Sequence, residues 1–211
     1  MAEKLDRYEC LKYLASKVTN ELVVFISFFH EWPSLSGEGL GNIALTAMGS
    51  TVPVGIGLAI ALPHRKVIVL ASDGDLLMEL GALPSLGREN PKNLIVFVND
   101  NETYHGVGGY PTMTSYKTDL AGMARGAGVE YAVTVRKFDE FKKEGDEAMS
   151  KNNGVRFIVM KTENKPYKTI IKSEAVHSFE TKCRFIRHIE ETEGVEIFPR
   201  SAAIRKLMEN P

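Results

Sequence analysis

Two polar loops in this 211-residue chain combine residue types that hold a hard cation beside an anion. Ser72-Asp73-Gly74-Asp75 follows the apolar run Lys66 to Ala71. Asn99-Asp100-Asn101-Glu102-Thr103-Tyr104-His105-Gly106 follows the run Asn93 to Val98. An aspartate at a strand end, followed by glycine, lets backbone amides approach an anion while its carboxylate holds a cation beside them. Carboxylate, amide and carbonyl oxygens are what Mg²⁺ takes, in an octahedron completed by phosphate and water. Asp73 and Asn101 lie 28 residues apart (101 − 73), the span of one strand–helix–strand unit, so both can reach one ion. Singly, Asp73 reads as well as the start of a turn, and Asn101 as the occupant of a left-handed position. Their pairing beside Gly106-Val107-Gly108-Gly109-Tyr110-Pro111 favours the ion site. A third polar loop, Phe29-His30-Glu31-Trp32, ends the run that begins at Leu22.

These loops need strands that end together. Leu22 to Phe28, Lys66 to Ala71, Asn93 to Val98, Tyr131 to Val135 and Val155 to Met160 are short, continuous and apolar, as strands buried on both faces are. Between them the spacing predicts helices over Thr51 to Leu62 (capped by Ser50), Leu76 to Glu89, Thr118 to Gly126 and Phe138 to Met149. Residues 3 to 17 form a further helix, with Leu5, Tyr8, Leu11 and Leu14 on one face, and Phe179 to Glu191 is amphipathic. Strands alternating with helices specify an α/β fold, a three-layer αβα arrangement around a mostly parallel sheet, whose ligand sits at the carboxyl ends of the strands. The charge-free stretch Gly39 to His64 is long enough to span a bilayer. Its polar residues and the break at Gly49 to Pro53 assign it instead to buried structure. With 26 basic and 27 acidic residues the chain carries a formal charge of −1, which removes the electrostatic case for nucleic acid or an anionic membrane. Cys10 and Cys183 can build neither a metal cluster nor a disulfide framework, and the charged N-terminus is no signal peptide. A cytoplasmic location is expected.

At the two loops the sequence resembles a family. Asp73-Gly74, followed about thirty residues later by Asp100-Asn101, matches the diphosphate-and-magnesium motif of thiamine diphosphate enzymes. Ala47-Met48-Gly49-Ser50-Thr51-Val52-Pro53, Pro91-Lys92-Asn93-Leu94, Gly108-Gly109-Tyr110-Pro111-Thr112 and Phe185-Ile186-Arg187-His188-Ile189-Glu190 resemble the sulfopyruvate and phosphonopyruvate decarboxylases. The likeness runs from about Leu22 to Phe198. It implies a thiamine diphosphate-binding fold over residues 1–198, of the diphosphate-binding type, with a C-terminal extension at 199–211. It also implies decarboxylation of 3-sulfopyruvate to sulfoacetaldehyde, in sulfonate metabolism of the coenzyme M type. Carried over by position, Asp73, Asn101 and the Thr103 carbonyl would hold Mg²⁺. Gly74 and Asp75 would offer backbone N–H groups to the diphosphate, and His30 and Gly106 would lie close by. Met48 would support the bent cofactor, and a carbonyl at Thr46 or Ala47 would accept from its aminopyrimidine. Tyr104 and His105 would be the candidates for proton transfer or substrate binding.

The departures are equally informative. Ser72 stands where the motif has glycine, Asp75 where it has a small residue, and Tyr110 where it has a polar one. These enzymes also need a glutamate on a separate pyrimidine-binding domain, and this chain has residues for only one domain. The resemblance therefore implies a β-type subunit, self-associating and completed by a separate α subunit that supplies the glutamate, acting on a small 2-oxoacid. A phosphonate substrate, the β chain of a 2-oxoacid:ferredoxin oxidoreductase and a non-catalytic cofactor-binding module are the alternatives. Elsewhere Arg65-Lys66 reads as a solvated edge, and Met78, Met123, Met149 and Met160 read as core.

Overall fold

A computed structural model describes residues 3–26, 28, 31–37, 39–168 and 179–198. The expected C-terminal extension at 199–211, and His30, lie outside them. Six strands, β1 (Leu22–Phe25), β2 (Asn42–Ala44), β3 (Val67–Ser72), β4 (Leu94–Asp100), β7 (Ala132–Val135) and β8 (Arg156–Lys161), form one sheet in the order β2-β1-β3-β4-β8-β7. Every pairing in that sheet is parallel. Two short strands, β5 (Thr103–Tyr104) and β6 (Tyr110–Pro111), form an antiparallel hairpin beyond β4.

Alternation along the central strands divides the core in two. Val67, Val69 and Ala71 of β3 and Leu94, Val96 and Val98 of β4 face one layer. They pack with α3 (Thr51–Ala61), α5 (Ala82–Glu89), α6 (Leu120–Gly126) and, through Phe185 and Ile189, α8 (Phe179–Glu193). Ile68, Leu70, Ile95 and Phe97 face the other. There they meet α1 (Arg7–Ala15), Trp32 of α2 (Glu31–Ser36) and Phe141 of α7 (Phe138–Ser150). The result is the three-layer αβα domain expected of apolar strands that must be covered on both faces.

The structure corrects several local expectations. Leu76 to Glu89 is two helices, α4 (Asp73–Met78) and α5, separated at Glu79 to Gly81. The first of them begins at Asp73 because Ser72 caps it, its Oγ accepting from the Asp75 N–H at 3.2 Å. Ser50 does not cap α3; its hydroxyl donates to the Ala47 carbonyl instead. Arg65 and Lys66 are no solvated edge. Arg65 is buried and bonds to Asn20, Thr192 and Glu193, and the Lys66 ammonium donates to the carbonyls of Ala148, Met149 and Lys151. Met78 and Met123 are exposed, whereas Met160 is core.

Helix α3 approaches β3 closely because position 55 is glycine. A Cβ there would collide with the Val69 side chain. Gly55→Ala is expected to cost about 1–3 kcal/mol by overpacking. The thermal midpoint should fall by roughly 2–4 °C for each kcal/mol in a domain of this size. Combining it with Val69→Ala should recover part of that loss, and two purely additive losses would show that the contact is not the cause.

Candidate active site

The register of the two central strands sets up the site. Ser72 pairs with Asn99, so Asp73 on one strand end and Asp100-Asn101 on the next emerge side by side. Asp73 is fully buried. Its Oδ2 accepts from the Thr112 hydroxyl at 2.6 Å and lies 3.1 Å from that of Thr114, whereas the buried Oδ1 has no hydrogen-bond partner among the described residues. Burial pushes the Asp73 carboxyl up to about 6; the Thr112 hydroxyl opposes the shift and nearby Asp100 adds to it. Asp100 is drawn away from the ion side by Lys161, whose ammonium lies 2.7 Å from its Oδ2.

Asn101 closes a tight turn, its Oδ1 accepting from the Thr103 N–H at 3.0 Å. Between them Glu102 has φ 63°, a left-handed conformation uncommon outside glycine. Its carboxylate is pinned between Lys4, at 2.7 Å, and Lys161, at 3.0 Å. These side chains hold the turn against its backbone preference, and they aim the Thr103 segment at the strand ends.

Most of the expected residues share one cavity of about 290 Å³. Thr46 and Met48 line one side, with Gly74 at its edge. Asn101, Thr103, Tyr104, His105 and Gly106 line the other. Asp73 lies behind the lining, and Ala47 is exposed beside Met48. The Asp75 N–H, expected to face an anion, instead donates to Ser72 Oγ, and the Asp75 side chain turns the other way. The glycine at 74 is required by space: a Cβ there would lie 2.6 Å from the Tyr104 ring.

His105 is oriented by two neighbours. Its Nδ1 lies 3.1 Å from Asn164 Oδ1, and its ring stands edge-on to Tyr167 at 5.5 Å. Among the described residues Nε2 has no hydrogen-bond partner, and an acceptor at Nδ1 places the proton on that nitrogen in the neutral ring. Tyr167 lies under Arg7, 4.8 Å from its guanidinium carbon. Arg7 in turn forms a buried two-bond pair with Glu31, at 2.7 and 3.0 Å. Glu31 is a fully buried glutamate at the start of α2, a setting that its polar loop does not predict. Its charge is already spent on Arg7 and on the Lys168 N–H.

Sequence reasoning missed Thr114, Lys161, Asn164, Tyr167 and Arg7, whose roles depend on contacts across the sheet ends. Thr112 did carry a signal, at the end of the Gly108-to-Thr112 motif. The donor set fits a hard divalent cation. It offers one carboxylate oxygen without a partner, one amide oxygen and the Thr103 carbonyl, and the described residues hold no group of three His, Cys, Asp or Glu side chains that would suit a softer metal.

Comparison with known proteins identifies the domain. Residues 32–160 match the model of the thiamine pyrophosphate enzyme C-terminal TPP-binding domain. The chain belongs to this family. It is 34 % identical over 146 residues to the sulfopyruvate decarboxylase subunit beta of Methanocaldococcus jannaschii, covering 69 % of this chain and 75 % of that protein. The subunit of the same name from Methanococcus maripaludis is 29 % identical over 182 residues, covering 83 % and 96 %. Among solved structures, benzoylformate decarboxylase from Polynucleobacter necessarius superposes with a TM-score of 0.65 at 18 % identity, over 77 % of this chain and 34 % of that one. The likeness shows the shared fold, and this thiamine pyrophosphate-binding domain spans about a third of that longer chain.

The buried Asp73 carboxylate has a sign-defined consequence. A carboxyl raised in the fold binds a proton more tightly there than in the unfolded chain. Its neutral form therefore stabilises the metal-free protein at low pH, and that contribution is lost as pH rises from about 4 through about 6. Asp73→Asn is expected to raise the thermal midpoint of the metal-free chain at pH 8 by several degrees, with little change near pH 4. In the wild type, Mg²⁺ with thiamine diphosphate should restore the midpoint at pH 8; in the variant it should not. Thermal scans at the two pH values, with and without the ligands, decide this.

Proposed function

We propose that this chain is the diphosphate-binding β subunit of a cytoplasmic, thiamine diphosphate- and Mg²⁺-dependent decarboxylase that converts 3-sulfopyruvate to sulfoacetaldehyde. The observation that carries the reading is the likeness to sulfopyruvate decarboxylase β subunits: the similarity to that of M. maripaludis covers 96 % of that protein, which supports reading this chain as the corresponding half of an enzyme.

The side chains suit that half. Asp73, Asn101 and the Thr103 carbonyl would bind Mg²⁺, and the ion would neutralise the carboxylate that burial otherwise disfavours. Gly74, in the cavity lining with the Tyr104 ring packed against it, would present the turn after β3 to the diphosphate. Thr46, Ala47 and Met48 are exposed at the cavity mouth, where a pyrimidine-binding subunit would close it. Thiamine diphosphate supplies an electron sink for the carbanion formed when carbon dioxide leaves. In its imidazolium form, which carries a proton on Nε2 as well as on Nδ1, His105 would deliver a proton to the product carbon or contact the substrate's acid groups, and Tyr104 stands beside it. The described residues that line the cavity include no Asp or Glu to protonate an aminopyrimidine, and Glu31, outside the lining, is held by Arg7. That proton donor comes from the α subunit.

The test is a decarboxylation assay with 3-sulfopyruvate, Mg²⁺ and thiamine diphosphate. The chain alone should be inert, and addition of the pyrimidine-binding subunit should confer activity. Turnover by the chain alone would overturn the shared site. Inactivity of the pair with 3-sulfopyruvate but turnover of phosphonopyruvate would move the substrate and keep the cofactor. His105→Gln in the assembled enzyme should lower kcat by roughly 10²-fold, the usual worth of a positioned proton donor, with cofactor affinity unchanged.

A further inference from the structure

Asp75 is the residue that departs most from the motif, and the fold gives it an unusual position. It lies in the first turn of α4 and is 1 % exposed. Its Oδ1 accepts from the Gly49 N–H at 2.6 Å, and its Oδ2 accepts from the Thr51 hydroxyl. Among the described residues no cation pairs with it. A buried carboxylate held only by an amide and a hydroxyl is costly unless the bonds it makes are needed.

Those bonds join two separate parts of the site. Gly49 has φ +87°, and a Cβ on it would lie 3.0 Å from that of Glu79, so the turn at 48–50 is clamped from the α4 side as well. Met48, immediately before it, reaches into the cavity, its Cε 3.6 Å from the point a Cβ on Gly74 would occupy. Thr51 is the first residue of α3. One carboxylate thus ties the start of α3 and the Met48 turn to the turn after β3.

We propose that Asp75 is a positioning residue, acting through Met48: its carboxylate fixes the Met48 turn relative to the Gly74 turn, and so fixes the bend of the bound cofactor. The inference rests on the thiamine diphosphate reading given above. The bend brings the cofactor's amino group to the thiazolium carbon that must lose its proton, and displacement of the supporting side chain by an ångström is costly in rate. The charge itself is not required. Asparagine can accept from Gly49 and donate to Thr51, and it removes a negative charge from the neighbourhood of a diphosphate.

The experiment uses the assembled two-chain enzyme loaded with Mg²⁺ and thiamine diphosphate, and reads thiazolium C2 proton exchange and cofactor affinity. Asp75→Ala should slow exchange by roughly tenfold or more while affinity changes much less, and Asp75→Asn should rescue exchange. In a Met48→Ala background, Asp75→Ala should add nothing, as expected of two residues in one unit. Normal exchange in Asp75→Ala, or full additivity with Met48→Ala, would overturn the proposal and leave the cofactor reading intact. Failure of the wild type to bind the cofactor would overturn both. Should Asp75→Ala not fold, Thr51→Val severs the Oδ2 bond alone, and unchanged exchange in it would overturn the proposal.

Discussion

One buried carboxylate sets the terms for this domain. Asp73 sits at the end of a central strand, out of contact with water, with one oxygen bonded to threonine and the other without a hydrogen-bond partner among the described residues. Burying a carboxylate on those terms is unfavourable, so the surroundings must either protonate it or provide a positive charge. The neighbouring strand end carries the Asn101 amide and the Thr103 carbonyl, which on the proposed reading would share a cation with Asp73, and the sheet register sets the two strand ends side by side. Helix α4 starts at this residue, the hairpin β5–β6 returns to it through Thr112, and Lys161 keeps a second carboxylate from competing with it.

Much of the scaffold could be read in advance, for a physical reason. Four of the six sheet strands, β1, β3, β4 and β8, are buried along their whole length and appear as largely apolar runs, and β7 kept a short run of the same kind although its Thr134 is exposed. Strand β2 did not, because three residues at a sheet edge among glycines and asparagines make no such run. The break between α4 and α5 was equally hidden: Leu76, Leu77, Leu80, Leu83 and Leu86 keep helical spacing across it, and the interruption at Glu79 to Gly81 shows only in the backbone.

The site divides the same way. Asp73, Asn101 and the glycine-rich loop were visible because the chemistry of a hard cation restricts residue types at strand ends. What orients them was not visible. Glu102 adopts a glycine-like conformation only because Lys4 and Lys161 hold its carboxylate, and neither is near it in sequence. His105 takes its orientation from Asn164 and Tyr167, and Tyr167 lies under Arg7, which pairs with Glu31 at the start of α2. Residue type reveals which groups can react, whereas long-range contacts decide where they point.

Lys161 also decides a matter of charge count. Asp100 and Asn101 are adjacent in sequence, and a loop that offered Asp100 to the ion would add a second negative ligand beside Asp73. Lys161 pairs with Asp100 at 2.7 Å, and on the proposed reading this removes that carboxylate from the contest and would leave the neutral amide to face the ion. A divalent cation held by one carboxylate, one amide and one carbonyl keeps a net positive charge, and a cation held by two carboxylates does not. On the proposed reading, a lysine at the end of β8 thereby preserves the attraction between metal and diphosphate.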